Sequence, residues 1–158
     1  MKKGKWFILS LLFAGSLFFS ACDDRVKYDG YQTLENRSWE KDKEYFFEFQ
    51  VDDNTVPYDV TFEVRNNNLY PFQNLWIFWE ETQPSGEVWR DTLECILADD
   101  YGKWLGKGMS VYQSGFALRT HYQFPDTGSY AISIRQGMRK SPLEGIQQIG
   151  IRVEESEQ

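Results

Sequence analysis

Few residues of this sequence have the types and spacing that catalysis or metal binding requires. It contains one histidine, His121, and a lone histidine cannot form a multi-histidine metal site. The acidic pairs Asp52-Asp53 and Asp99-Asp100 could supply oxygen ligands to calcium, but neither is spaced like an EF-hand loop. Both pairs lie in segments of turn chemistry, so we interpret them as turns.

The sequence also lacks the motifs of phosphate binding, nucleophilic catalysis and glycoside hydrolysis. The stretch GKWLGKG at 102–108 has glycines and lysines, but it lacks the Gly-Lys-Ser/Thr ending of a phosphate-binding loop. No GxSxG motif is present, and nothing distinguishes one pair of the many acids for glycoside hydrolysis. His121 alternates with Thr120 and Tyr122 and should point to the face opposite theirs. We therefore predict that the protein is not an enzyme and needs no cofactor or metal.

The two cysteines have different expected roles. Residues 1–21 contain three lysines, an apolar run and a small Ser-Ala pair, which is the pattern of a helical signal peptide. A cysteine directly after that pair marks a bacterial lipoprotein, so we predict that Cys22 is lipidated and anchors the chain. The alternatives are a secretory signal with a coincidental cysteine, or an uncleaved anchor. Cys95 then has no intrachain partner, and its place in an apolar alternation predicts a buried thiol.

The charge of the mature chain excludes some partners. Without the signal peptide, 14 basic residues face 24 acidic ones, a formal charge of −10. So acidic a chain is a poor candidate for binding nucleic acid or an anionic lipid surface. Its hold on a membrane must therefore come from lipid on Cys22.

Apolar alternation with a period of two predicts about eight strands. We expect an all-β fold, an antiparallel β-sandwich of the jelly-roll type. The run LWIFW at 75–79 is predicted to be a central strand buried on both faces, and the first and last strands could pair. The expected strands are 45–51, 58–65, 75–79, 88–97, 109–112, 116–124, 129–135 and 148–153.

The same patterns divide the chain into four parts. We predict a signal peptide at 1–21, a lipidated tether at 22–42, the sandwich at 43–154 and a frayed tail at 155–158. Trp39 is expected to dock on the domain at the end of the tether. The connection at 136–145 could include one helical turn.

Six aromatic residues allow two interpretations. They could form an exposed platform on which a sugar stacks, or they could fill the core, which large aromatic side chains commonly do. We favour core filling. The residues concerned are Trp76, Trp79, Trp89, Tyr101, Trp104 and Tyr112.

Several short motifs are spread over the mature chain. They include Tyr70-Pro71 before Asn74-Leu75, Gly-Lys-Trp-Leu-Gly at 102–106, and the run QGMRKSPLEGIQQIGIRVE at 136–154. With the lipoprotein start, these motifs resemble the gliding motility lipoprotein GldH family of Bacteroidota. The resemblance implies a cell-envelope lipoprotein associated with gliding machinery, without known enzymatic activity, in a family that also has non-gliding members.

From these features we predict a lipid-anchored adaptor that binds another protein of the envelope or the gliding machinery. The anchoring membrane is expected to be the outer rather than the inner one. One candidate partner surface comprises Gly102, Trp104, Gly106 and Gly108; a second comprises Arg139 and Arg152. The structural alternatives are a packed glycine loop, and arginines paired with Glu144 or Glu154.

Overall fold

The structure is a computed structural model that describes residues 24–157, a range built almost wholly of β-strands. Eight strands have eight or more residues: β1 (Val26–Thr33), β3 (Glu44–Val51), β4 (Tyr58–Asn67), β5 (Asn74–Thr82), β6 (Val88–Ile96), β8 (Val111–Tyr122), β9 (Gly128–Gln136) and β11 (Ile146–Glu155). Three strands have two residues: β2 (Ser38–Trp39), β7 (Lys107–Gly108) and β10 (Leu143–Glu144). A 3-10 turn at Glu35–Arg37 precedes β2. Within the described range, none of the helical segments has the length and apolarity to cross a membrane.

The strands form two antiparallel sheets that pack face to face. One has the order β1-β11-β4-β8-β7 and the other β3-β9-β5-β6; β2 and β10 form a small separate pair. The chain changes sheet at most connections, which is the winding of a jelly roll. The predicted all-β antiparallel sandwich is confirmed. The predicted signal peptide lies outside the described residues.

The core forms where the alternation places apolar side chains between the sheets. In β4, Tyr58, Val60, Phe62 and Val64 are buried, and the residues between them face outward. A slip of one residue would turn the charged side chains of this strand into the core, so its register is strongly specified. The inward residues of β9 and β11 are buried in the same way.

The folded domain begins earlier than the sequence suggested. Residues 26–33, predicted as part of a tether, form β1 and pair along β11. This strand is only partly buried, so its sequence shows no clean alternation. Trp39 is fully buried with its ring 5.7 Å from that of Tyr45, as docking requires. The tail is also attached, since Ser156 donates its backbone N–H to the carbonyl of Pro57.

The structure differs from the prediction at four places. The first and last predicted strands lie in different sheets, because β3 pairs with β9 while β11 pairs with β1 and β4. The predicted strands 109–112 and 116–124 are one strand, β8. The LWIFW run is central in its sheet, but Trp76 and Phe78 are 39 % and 42 % exposed. No described element covers this outer face, so the run is buried on one side only. The 136–145 connection contains no helical turn.

Candidate functional site

The residues considered for metal binding or catalysis are not assembled into a centre. Among residues 24–157, no three histidine, cysteine or acidic side chains are placed to share a metal ion. His121 is exposed, and its backbone N–H donates to Asp59 at 2.7 Å. The carboxylate of Asp53 accepts hydrogen bonds from the hydroxyl and the backbone N–H of Thr55, which lower the pKa of Asp53. The carboxylate of Asp99 accepts two backbone N–H groups of its own turn. These acids have the role that the turn interpretation predicts.

The interior contains an ion pair that the sequence analysis missed. Glu81 of β5 is fully buried, and its carboxylate accepts a hydrogen bond from Arg119 of β8 at 3.4 Å. Burial raises the pKa of the Glu81 carboxyl, and the positive charge of Arg119 opposes that rise. The guanidinium lies 3.7 Å from the ring centroid of Trp89 and 4.7 Å from that of Tyr122.

The signal for this pair was present in the alternation. Glu81 continues the inward series Leu75, Ile77 and Trp79, which places a carboxylate on the core side of β5. A buried charge of this kind must be paired, so a basic partner on the opposite sheet could have been sought. The pair joins the two sheets, and we interpret it as structural.

The outer face of the five-stranded sheet carries a polar network. Glu63 accepts hydrogen bonds from the hydroxyl of Tyr31 and from Gln113. Arg65 donates to Gln113 at 3.1 Å and to Gln148 at 2.6 Å. Burial and the neighbouring Glu63 raise the pKa of Tyr31 to about 12. The polar groups of this face are thus largely engaged with one another.

The two candidate arginines lie on different faces of the molecule. Arg152 lies on the outer face of the five-stranded sheet, paired with Glu154 at 3.0 Å and Asp29 at 3.3 Å. Its pairing with Glu154 is the structural alternative stated above. Arg139 is exposed in the β9–β10 connection, where it lines a groove with Trp76 of the four-stranded sheet. The structure therefore does not bring Arg139 and Arg152 into one surface.

The candidate glycine loop crosses from one sheet to the other. Gly102 has a φ of +80° in a turn closed by a hydrogen bond to the carbonyl of Asp99. Trp104 is half-buried, and its indole N–H donates to Asn68 at 2.8 Å. The ring of Trp104 lies 5.8 Å from that of Tyr112. Trp104 therefore packs the loop against the domain and does not project from it as a binding residue.

The later glycines allow the loop to approach β8. A Cβ on Gly106 would lie 2.8 Å from the carbonyl oxygen of Gln113. Gly108, with a φ of +144°, closes the turn before β8, and a Cβ there would overlap the carbonyl oxygen of Val111. Both positions therefore require glycine for packing. The exposed large hydrophobic side chains of the loop are Tyr101 and Leu105, and Lys103 and Lys107 are exposed as well.

The most conspicuous exposed surface is the outer face of the four-stranded sheet. Several large apolar side chains project from it, and we term four of them, Phe46, Trp76, Phe78 and Ile96, the aromatic face. Their exposed fractions run from 39 % to 59 %. The guanidinium of Arg135 lies 5.7 Å from the ring centroid of Phe78. Exposed apolar groups collected on one face are typical of interaction surfaces.

Two grooves lie beside the aromatic face, both near the end where Asn74 pairs with Ile96. Ile96 lines a groove of about 510 Å³ with Leu105 and Gly106. Trp76 lines another, of about 310 Å³, with Arg139. Ile96 of the first groove is paired with Asn74, which lines the second groove. The two grooves are therefore neighbours across β5 and β6. The glycine loop and Arg139 thus lie near the same end of the aromatic face, and the groove of the glycine loop is also lined by Glu63 and Gln113 of the five-stranded sheet.

The six-residue platform considered from the sequence is not formed. Trp79 is buried, Trp89 lies against Arg119, and Trp104 stacks near Tyr112. Tyr101 is 97 % exposed at the tip of its loop. Of the six, Trp76 belongs to the aromatic face.

Fold and surface together define a jelly-roll β-sandwich with an exposed aromatic face. The chain belongs to the GldH lipoprotein family, whose sequence profile matches residues 26–153. It is 37 % identical over 149 residues to the "Gliding motility lipoprotein GldH homolog" of Christiangramia forsetii, covering 89 % of this chain and 91 % of that protein. It is 34 % identical over 155 residues to the "Gliding motility lipoprotein GldH" of Flavobacterium johnsoniae, covering 93 % and 95 %. Membership of this family implies a lipid-anchored protein of the cell envelope.

Proposed function

We propose that this lipoprotein is a non-catalytic adaptor of the gliding machinery, which binds another envelope protein through the aromatic face. Two relatives that span nearly the whole chain carry gliding motility in their names, which supports the setting. The observation that carries the adaptor role is the exposure of Trp76 and Phe78 beside each other on a sheet face that no described element covers.

The aromatic face has the composition expected of a protein interface. Tryptophan, phenylalanine and arginine are enriched in interface centres, because large rings exclude water while guanidinium groups donate several hydrogen bonds. Here Phe78 has Arg135 beside its ring, and Trp76 lines the same groove as Arg139. A partner would gain apolar contact from the rings and would place acceptors against the two arginines.

Crosslinking in the native envelope, followed by mass spectrometry, tests the proposal. The variant Trp76→Ala/Phe78→Ala is compared with Met109→Ala, whose side chain is 91 % exposed in the turn between β7 and β8. We expect the double variant to lose crosslinks to a protein partner while Met109→Ala retains them. Undiminished crosslinking of the double variant, at equal abundance in the membrane, would reject the aromatic face as the binding surface.

A carbohydrate-binding function is the second candidate. Trp76 and Phe78 lie two residues apart on one face of β5, about 7 Å along the strand, and sugar rings stack on exposed aromatic rings at such spacings. Glycan arrays separate the two functions. Retention of a sugar by the wild type but not by Trp76→Ala/Phe78→Ala, together with no protein partner in the envelope, would favour this candidate over the adaptor.

The anchor is part of the same proposal. Cys22 lies outside the described residues, and the signal-peptide pattern that precedes it supports lipidation. The proposal extends to placement of the lipid anchor in the outer membrane. We expect Cys22→Ser to lose incorporated fatty acid and to leave the membrane fraction. Separation of the inner and outer membranes should recover the wild type with the outer membrane. Recovery of unlipidated wild type in the soluble fraction would contradict the anchor.

A further inference from the structure

Strand β6 is an open edge of the four-stranded sheet. Within residues 24–157 it pairs with β5 on one side, and no strand pairs with its other side. The opening ends just beyond Ile96, where the backbone N–H of Leu105 donates to the carbonyl of Leu97. Val88, Thr92, Glu94 and Ile96 are all exposed. A long exposed edge strand is a template for pairing with another strand.

Other edges of the two large sheets carry features that oppose pairing; in edge strand β1 this feature is a register shift between Val26 and Tyr28. At the far edge of the four-stranded sheet, the side chain of Gln32 donates to the backbone carbonyl of Phe46 at 2.6 Å, which occupies an edge acceptor of β3. In the five-stranded sheet, β7 has only two residues. Blocking side chains and short strands are both known protections of sheet edges. No proline interrupts β6, and its pairing with β5 shows no register shift.

The hydrogen bonds at the two ends of the β5–β6 pair establish which backbone groups face outward. Gln83 donates to the carbonyl of Glu87 at one end, and Leu97 donates to that of Gln73 at the other. Because hydrogen-bonded pairs alternate in an antiparallel ladder, the odd-numbered residues of β6 bond to β5. The even-numbered residues, from 88 to 96, therefore direct their N–H and C=O groups to the open side.

Thr92, at the centre of the strand, agrees with this assignment. Its backbone N–H donates to the side chain of Asp91 at 2.7 Å and is thus not used by β5. Pairing with a second strand would exchange this side-chain acceptor for a backbone carbonyl.

We propose that β6 pairs antiparallel with β6 of a second copy of this chain, with Thr92 opposite Thr92 of that copy. This register places Arg90 opposite the second copy's Glu94, and Val88 opposite its Ile96, on both sides of the two-fold axis. On the outer face of the combined sheet, apolar residues then lie opposite apolar residues and Thr92 lies opposite Thr92. Each charged residue lies opposite a residue of the other sign. Such cross-strand pairs stabilise sheets.

Neighbouring registers lack this complementarity. A shift that centres the pairing on Asp91 puts two carboxylates directly opposite each other. Centring it on Arg90 or on Glu94 opposes two like charges. Centring it on Leu93 places Arg90 opposite Ile96. Like charges opposite each other destabilise a sheet, so the charge pattern selects the Thr92-centred register.

The paired charges remain compatible with the contacts within each copy. Arg90 lies 2.8 Å from Glu80 on β5, and Glu94 accepts a hydrogen bond from Asn74. The side chain of Arg90 is 65 % exposed, so its open side can face a second carboxylate. The dimer would have one eight-stranded sheet, with two aromatic faces side by side. This pairing does not depend on the adaptor role.

Charge exchange tests the proposal in the full lipoprotein in detergent, with association measured by sedimentation equilibrium. Arg90→Glu alone and Glu94→Arg alone should each weaken self-association at least about tenfold, since each opposes like charges twice in the dimer. The double variant Arg90→Glu/Glu94→Arg should associate like the wild type. A mixture of the two single variants should form a heterodimer, because their charges are then complementary.

The double variant is a control for effects of the single substitutions on folding. The double variant loses the same contacts to Glu80 and Asn74 as the two single variants lose separately, yet it should recover association. Single variants that associate as the wild type does, or a double variant that stays as weak as the singles, would overturn the proposal.

A cysteine crosslink tests the register. Residues directly opposite in a hydrogen-bonded pair have Cα atoms about 5.5 Å apart, within the range of a disulfide. Thr92→Cys should therefore form a covalent dimer on oxidation. Arg90→Cys should not link to itself, since its Cα atoms would be about 14 Å apart. It should link to Glu94→Cys in a mixture. A Thr92→Cys chain that remains monomeric under oxidation would overturn the proposal, whereas the wild type, with Cys95 buried, serves as the background.

Discussion

The carboxylate of Glu81 faces the guanidinium of Arg119 across the interior of the sandwich, at 3.4 Å. Glu81 belongs to β5 and Arg119 to β8, so the contact joins the two sheets. The rings of Trp89 and Tyr122 shield the guanidinium from water. A buried ion pair costs desolvation on both sides, and removing one partner leaves the other charge buried without compensation.

Replacing Arg119 alone should destabilise the protein, whereas replacing both members of this pair should change its stability little. We expect Arg119→Met to lower the free energy of unfolding by about 3 kcal/mol, because the Glu81 carboxylate is left unpaired. The double variant Glu81→Met/Arg119→Met should be close to the wild type, since two apolar side chains of similar length replace both charges. Urea unfolding at neutral pH measures both. Equal losses in the single and double variants would contradict the interpretation.

The pair should also give stability a dependence on pH. Burial raises the pKa of Glu81 above its ordinary value of 4.5, so the folded state binds this proton more tightly than the unfolded state does. The contribution of this bound proton to the free energy of unfolding is fully present below pH 4.5 and is lost as the pH rises through the raised pKa. The variant Glu81→Gln has no titrating carboxyl at this position and lacks the contribution.

Comparison of the two proteins isolates this contribution. The stability of Glu81→Gln relative to the wild type should therefore increase as the pH rises above 4.5. Urea unfolding at several pH values between 4 and 8 checks the slope. A difference between the two proteins that does not change with pH would show that the pKa of Glu81 is not raised on folding.

Trp76 and Trp79 lie on opposite faces of the same strand and should respond differently to truncation. Trp79 is 2 % exposed, and Trp79→Ala should lower the free energy of unfolding by about 3–5 kcal/mol through the cavity it leaves. Trp76 is 39 % exposed, and Trp76→Ala should cost less than about 1 kcal/mol. Thermal or urea unfolding compares them directly. Similar losses would mean that the outer face is covered in solution.

Cys95 should be unreactive in the folded protein. Its side chain is fully buried, and burial raises the pKa of the thiol to about 12, which leaves almost no thiolate at neutral pH. A maleimide or iodoacetamide reagent should label it only after unfolding in denaturant. Rapid labelling of the native protein at pH 7.5 would indicate that β6 opens readily at its end.

The sequence predicted those elements in which a single strand carries the information. In β4 and β9 the inward residues alternate without interruption, so burial and register follow from the period alone. The buried thiol of Cys95 was predicted for the same reason. Strand β1 was missed because an edge strand is only partly buried and its sequence need not alternate.

The candidate surface was predicted only in pieces. The sequence singled out Arg139 and the glycines of the 102–108 loop, but it could not show that Ile96 and Asn74 connect them across two strands. It also grouped Arg139 with Arg152, which lies on the opposite sheet. Spacing along the chain carries no information about which sheet faces which, so such groupings need the structure.

Patterns within the sequence were enough to predict the class of fold, the alternation that builds its core, the lipid anchor and the resemblance to a family. These features depend on local patterns, which a chain displays residue by residue. Tertiary structure alone decided that Glu81 meets Arg119, that Trp76 and Phe78 stay exposed, and that β6 is an open edge. Each of these depends on which strands become neighbours, because burial and pairing are properties of contacts between segments distant in sequence.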